Sequence, residues 1–579
     1  VNGSLLQSGI AENQSPKKRG FTLKAIGQIS PWGESRLRPW INARAGEATA
    51  WAERNKAVFA ILMLLQIAAY SYFYTSIILT NHTLPEVWLY PFPSSMTRAL
   101  GRWMEDLTLQ AQGGSGVQPF AMLCATALQA INGILLAELI GLGRKRDVLS
   151  VAALLCLYPA FLDYYSFVAD QLSFVVGDHF AILGVLVFVG SRRSWLRVMG
   201  AAFFFLLAIA CHQPRIALVS FLAAGAVLLT LGSESKKTDA SLASDRQAIR
   251  DGLALLVAIA IAVVAYWISS KILVERSKFA HDWGVSRVTH LSTLPEALGQ
   301  VAISYRRVLA FFIRDLPGLP WWLRFLPAIG VAVGALDLLW RAWQRGWRTA
   351  LIAVGVLALI PIALRATYVI NCKSPETFGR ILFVNGYCLA FFIGCGLRTE
   401  RLRALSAAVA IPLLYFFFIL ATQESNAAAY KTTYEMSMIQ RIAARAETLL
   451  ESNVLPKAIA LVVVGNYPQF KREPYVRHPG RVSLAGVHQE SFTFYRHVDY
   501  LNFFCGNKYF RQPSQDERSR AIESTRDKAP WPSSESVYRL EDTIVVFLER
   551  HGPGIPVTSA GPAKVPKSPP PPADPPPSP

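Results

Sequence analysis

Charge is scarce in this chain. Of its 579 residues 17% are Asp, Glu, Lys or Arg, and acids are the rarer sign, 39 against 58 basic residues. With 52% hydrophobic residues and a mean hydropathy of +0.30, the composition excludes an ordinary soluble globular protein. Cysteine is thin as well: there are seven, none in CxxC spacing, and Cys124, Cys156, Cys211, Cys388 and Cys395 lie in apolar runs. That pattern excludes a structural zinc site and a disulfide scaffold, and leaves Cys372 and Cys505 as the pair that could form a disulfide. A P-loop, a Gly-rich dinucleotide turn, a DxD acidic pair and an HExxH helix are all missing, so neither a nucleotide nor a nucleotide-sugar is the expected substrate. The net charge of +19 is spread as short clusters between apolar runs. It reads as a topology signal, and no nucleic-acid partner is expected.

What is present is apolar and segmented. Runs at residues 57–79, 118–140, 149–168, 172–190, 196–211, 214–232, 252–272, 324–340, 349–370, 381–397 and 404–421 predict eleven spans, each near the roughly 20 residues that cross a bilayer. Residues 1–56 are basic, carry no signal-peptide core or cleavage site, and are expected in the cytoplasm. With the amino terminus inside, the inner connections hold Arg144-Lys145-Arg146, Arg192-Arg193 with Arg197, Lys236-Lys237 with Arg246 and Arg250, Arg341 with Arg345 and Arg348, and Arg398 with Arg401 and Arg403. Every one is basic, as inner loops should be. Residues 301–316 carry Arg306, Arg307 and Arg314-Asp315, which predicts an amphipathic or re-entrant outer segment leading into Trp321-Trp322.

The expected fold is therefore mainly α: a polytopic transmembrane helical bundle, amino terminus in and carboxyl terminus out, with a small extracytoplasmic α/β domain. Residues 57–422 form the membrane module and 423–551 the outer domain. The latter is predicted as a helix over about 428–452, a strand at 458–464, a charged helix near 514–527 and a last strand at 543–548. Residues 552–579 are Pro-rich and read as a polyproline-like tail. In the first outer loop Met96, Leu100, Trp103 and Leu107 recur at helical spacing between Ser94-Ser95 and Gly113, predicting a helix that lies flat on the membrane.

A charged group near mid-bilayer costs roughly 2.5–3.5 kcal/mol, so charges retained there usually face a bundle interior or a watery cavity. On the outer side the candidates are His82 and Glu86, then Arg102, Glu105 and Asp106, then Asp163, Asp170 and Asp178, then His212-Gln213-Pro214-Arg215, and finally Lys373, Glu376 and Arg380. Arginine offers a planar donor fork to phosphate oxygens, and a positioned carboxylate can take the proton of an attacking hydroxyl. Each has a plainer reading. Arg102 and Asp106 stand four apart and can form a helical ion pair. Asp163 can be an interfacial cap and Asp170 the N-cap of the fourth span. Asp178, about 9 Å below the outer edge, needs a partner such as His212 or Arg215.

Gly101-Arg102-Trp103, Tyr158-Pro159, Asp170-Gln171-Leu172-Ser173 with Asp178, Gln213-Pro214, Val462-Val463-Val464-Gly465 and Thr543-Ile544-Val545-Val546 together resemble the Gtr-type O-antigen glucosyltransferases. These are membrane-embedded, lipid-linked-sugar (GT-C) enzymes. The resemblance runs over roughly residues 55–550. It implies transfer of a hexose, typically glucose, from a polyprenyl-phosphate donor to a glycan or lipid acceptor at the periplasmic face of a bacterial inner membrane. It also implies an acidic general base near the outer end of the first span, where this chain has Asn81-His82-Thr83 and then Glu86. The base is thus expected among Asp170, Asp178, Asp106 and Glu86. His82, Arg102, His212, Gln213, Arg215 and Arg380 are expected to bind substrate. No cofactor is required by this scheme, although a divalent metal could assist. The competing readings are a lipid or polysaccharide flippase, for which a midplane site and inverted repeats would be expected, and a noncatalytic envelope-assembly subunit.

Overall fold

The computed structural model describes residues 31–76, 100–113, 118–168, 170–191, 194–233, 241–275, 291–316, 319–372, 383–450, 458–465 and 497–549. Two units separate, residues 1–57 and 58–579. Helix α1 (Pro31–Ala69) begins in the first, where Lys56 pairs with Glu53 at 2.6 Å.

The second unit is mostly helical. After α1 come α2 (Ser71–Thr75), α3 (Trp103–Ala111), α4 (Phe120–Ile140), α5 (Lys145–Cys156), α6 (Phe161–Ser166), α7 (Gln171–Gly190), α8 (Ser194–Cys211), α9 (Arg215–Leu231) and α10 (Ser241–Glu275). There follow α11 (Leu294–Ala310), α12 (Leu326–Arg345), α13 (Trp347–Leu364), α14 (Ala366–Ile370), α15 (Val384–Arg398) and α16 (Glu400–Thr448). Among the described residues seven helices are long and apolar enough to cross a membrane, and α9 and α15 are shorter apolar helices. This is the build of a helical membrane protein. Two predicted spans are broken: 149–168 divides into α5 and α6 at Leu157-Tyr158-Pro159-Ala160, and 349–370 divides into α13 and α14 at Arg365.

The basic turns meet at one end of this bundle, where they act as staples between helices. Arg144 pairs with Glu400 at 3.1 Å and Arg403 with Asp147 at 3.4 Å, joining the α4–α5 turn to the α15–α16 turn. Arg341 bridges Asp337 at 2.9 Å and Thr399 at 2.7 Å, and the Thr399 hydroxyl donates to Asp337. Arg345 donates to the Thr230 and Leu231 carbonyls at the end of α9, at 2.7 and 2.9 Å. Those carbonyls belong to the last turn of α9, where Ser233 Oγ also donates to Thr230 at 2.9 Å, and a cation there opposes the helix dipole. Arg197 does the same for Phe188 at 2.8 Å while pairing with Asp251 at 3.0 Å.

The α/β domain is built on α16. That helix runs unbroken through 49 residues, about 74 Å, where the sequence reading placed a boundary near 423 and a separate helix at 428–452. Its polarity changes there, but residues 419–431 contain neither Gly nor Pro, so nothing stops the helix. Strand β1 (Ile459–Val464), α17 (His497–Phe504), β2 (Phe510–Arg511), α18 (Gln515–Ser524), β3 (Val537–Leu540) and β4 (Thr543–Phe547) follow. The sheet order is β2-β1-β4-β3, with β1 parallel to both neighbours and β3 antiparallel to β4. Alternation along β1 sends Ile459 and Leu461 against Met438, Ile439, Ile442 and Ala446 of α16, and Val462 and Val464 toward Ala521 of α18. The last turns of α16 are therefore core of this layer. Arg445 also donates to the Ser533 carbonyl at 2.7 Å and lies 4.5 Å over the Trp531 ring. On the sheet's other flank Arg511 and the Ser514 backbone hold the Glu517 carboxyl down to about 2, which fixes the start of α18. Cys372 and Cys505 are both free.

Candidate active site at one end of the bundle

At the end opposite the basic turns, the chain approaching α3 folds onto the α8–α9 corner. Gly101 takes φ +72, and a Cβ there would lie 2.7 Å from the Ser270 Oγ and 2.9 Å from the Tyr266 hydroxyl. Only glycine permits that close turn. Helix α3 follows at Trp103, and the turn delivers Arg102 to the corner; the helix start near 94 that the spacing predicts lies outside the described residues. Arg102 Nε donates to Gln213 Oε1 at 3.3 Å, and Nη1 lies 3.5 Å from Glu105 Oε2. Gln213 Nε2 in turn donates to the Leu100 carbonyl at 2.5 Å and to the Tyr266 hydroxyl at 2.8 Å. Helix α3 packs against α7 and α8 with Glu105 and Asp106 buried. Arg102 reaches Glu105 and Gln213, not Asp106, so the predicted four-apart ion pair is not formed.

Two residues beyond Gln213 lies a second, sealed cluster. Arg215, the first residue of α9, is fully buried with Asp178. Its Nε donates to Asp178 Oδ1 at 3.0 Å, Nη2 to the Phe174 carbonyl at 2.8 Å, and Nη1 contacts His212 Nδ1 at 2.6 Å. The guanidinium packs 4.6–5.1 Å over the rings of Phe383, Tyr164 and Phe174, and Tyr387 donates to the other Asp178 oxygen at 3.2 Å. Every guanidinium nitrogen is thus engaged. An arginine only donates, so His212 Nδ1 must accept and the ring proton sits on Nε2.

The other predicted residues divide. Asp170 occupies the N-cap position of α7 without a side-chain capping bond, one turn from Phe174, and is buried. Asp163 lies buried in the first turn of α6. His82, Glu86, Lys373, Glu376 and Arg380 lie outside the described residues. The structure therefore joins Arg102 to Gln213, and His212 to Arg215 and Asp178. Sequence reasoning passed over Tyr387, Gln129 and Asn132, whose amide meets His179 Nδ1 at 2.8 Å beneath this cluster, because neutral polar residues do not stand out in apolar runs. It also missed Arg365, buried beside Tyr368 where α13 breaks, and the buried Glu424, Lys431 and Glu435 of α16. The rule that singled out Asp178, a charge amid apolar neighbours, would have found Arg365. Among the described residues no three His, Cys, Asp or Glu side chains gather as a metal site.

A bundle of long apolar helices with buried carboxylates and arginines has the build of an integral-membrane protein. The family model described as Glucosyl transferase GtrII matches residues 89–393, more than half of the chain, and the protein belongs to that family of membrane glycosyltransferases. The matched stretch runs from before α3 into α15, so it contains Arg102, Asp106, Asp170, Asp178 and the α8–α9 corner, while the α/β domain follows it. No curated protein and no solved structure matches the chain.

Proposed function

We propose that the protein moves a hexose, glucose by its family, from a polyprenyl-phosphate donor to a glycan or lipid acceptor at the extracytoplasmic face of a bacterial inner membrane. The observation that carries this reading is that Arg102, joined to Glu105 and Gln213, the buried Asp106 of α3 and the buried Asp170 at the start of α7 all stand at the end of the bundle away from the basic turns. By the positive-inside rule that end faces outward, within eleven spans that leave the amino terminus in and the carboxyl terminus out.

The reaction is a direct displacement. A carboxylate, Asp170 first and Asp106 next, takes the acceptor hydroxyl proton as that oxygen bonds to the anomeric carbon. The bond from that carbon to the phosphate oxygen breaks, and its electron pair leaves with the polyprenyl phosphate. Arg102 suits the departing phosphate, since its side chain is partly open and Nη2 makes no hydrogen bond among the described residues. Asp178 and Arg215 take a different part from the one their sequence suggested. Their polar atoms are committed to each other and to His212, Phe174 and Tyr387, so they position the corner rather than touch substrate.

Purified protein supplied with radiolabelled polyprenyl-phosphate glucose tests the proposal. Label should pass to an acceptor, and Asp170→Asn should slow that transfer by about 10²- to 10⁴-fold with an unchanged melting temperature. Intact donor carried across vesicles without transfer would instead identify a flippase.

A further inference from the structure

Arg102 is tied to a helix that has no part in the reaction proposed above. Near its end α10 carries Tyr266, Ser269 and Ser270, three and four residues apart and therefore on one face of the helix. Ser269 Oγ accepts from Trp103 Nε1 at 3.2 Å, while Ser270 Oγ and the Tyr266 hydroxyl close over Gly101. The Tyr266 hydroxyl also accepts from Gln213 Nε2 at 2.8 Å. That nitrogen donates to the Leu100 carbonyl as well, and a carbonyl only accepts, so the amide is turned with Oε1 toward Arg102 Nε, 3.3 Å away. Helix α10 packs in turn against α8 and α9, the two helices that form the corner.

The consequence falls on the guanidinium. Gln213 holds Nε and Glu105 lies at Nη1, so the fork is fixed at two of its three nitrogens, and Nη2 makes no hydrogen bond among the described residues. A cation fixed before charge develops on its partner loses little freedom when that charge appears, which is how a preorganised donor stabilises a leaving phosphate. We infer that Tyr266 is a positioning residue for glycosyl transfer: its hydroxyl fixes Gln213, Gln213 fixes Arg102, and Arg102 meets the phosphate of the polyprenyl-phosphate lipid. The inference rests on the role proposed above for Arg102. Tyr266 acts through Gln213 and not on the substrate.

The test titrates the full-length protein in neutral detergent with a short-chain polyprenyl phosphate and with the corresponding polyprenol, following tryptophan fluorescence. Wild type, Tyr266→Phe, Arg102→Ala and the double variant are compared. Tyr266→Phe removes one oxygen and keeps the ring, so the variant should fold, and a melting curve checks this. It should bind polyprenyl phosphate about fivefold more weakly, the worth of one ordinary hydrogen bond, and polyprenol as wild type does. On top of Arg102→Ala the same change should alter neither affinity, because the two residues act in one chain. A merely structural tyrosine would move both lipids together or neither, so equal weakening, or none, overturns the inference. A further loss of phosphate affinity when Tyr266→Phe is added to Arg102→Ala overturns it too. Failure of the underlying reading shows separately: wild type that binds both lipids alike, or Arg102→Ala that binds polyprenyl phosphate as wild type does, removes Arg102 from the phosphate and the inference with it.

Discussion

Arg215 shows how much one residue can organise. Burying a guanidinium and a carboxylate without water is costly, and the pair is tolerated because each nitrogen finds an acceptor and both Asp178 oxygens find donors. Removing one partner leaves an uncompensated charge. Arg215→Met or Asp178→Leu alone should each cost about 3–5 kcal/mol of stability, whereas the double change should cost clearly less than the sum. Thermal melting of the three variants checks this. Losses that simply add would mean the two side chains do not act as a pair. The same geometry separates positioning from chemistry: the Asp178 variants should lose stability and activity together, in contrast to Asp170→Asn.

Helix α16 is the element with the widest consequence. It leaves the bundle, continues without a break, and ends inside the hydrophobic core of the α/β layer, so one continuous helix carries that domain. Its stretch between bundle and domain buries Glu424, Lys431 and Glu435, with Lys431 and Glu435 paired at 3.4 Å. A proline at exposed Thr433 would remove a helical hydrogen bond and cost about 3 kcal/mol. Thr433→Pro should therefore open a protease-sensitive point near residue 433 and uncouple the domain, while Thr433→Ala should not. Limited proteolysis followed by mass spectrometry would detect the new cut. A helix as resistant in the proline variant as in wild type would show that its continuity is not what holds the domain.

For the whole molecule the deciding feature is polarity between its two ends. The arginine staples close one end by joining turns that are distant in sequence, and the buried carboxylates and Gln213 network lie at the other. If the stapled end is cytoplasmic, Gln344→Cys, exposed at the α12–α13 turn, should react with an impermeant maleimide only after cells are opened. Thr433→Cys should react in intact cells once the outer membrane is permeable to the reagent. Labelling of both from the same side would invalidate the proposed topology and, with it, the assignment of the reaction to the outer face.

The sequence by itself determined that the chain is a membrane protein, roughly where its apolar helices lie, and that Asp178 needed His212 or Arg215. These follow from composition, segment length and the cost of an unpaired buried charge, all of which are local or additive. It also marked Arg102 and Gln213, but as separate motifs. Only the tertiary structure decided that these two meet, that α3 starts after a glycine turn and packs inward, and that Arg215 is sealed against Asp178. It alone showed that the polar stretch after residue 421 continues a helix and that the basic turns clamp one another. Those outcomes depend on which helices become neighbours, and hydrogen-bond partners more than 100 residues apart leave no mark in the spacing of either segment.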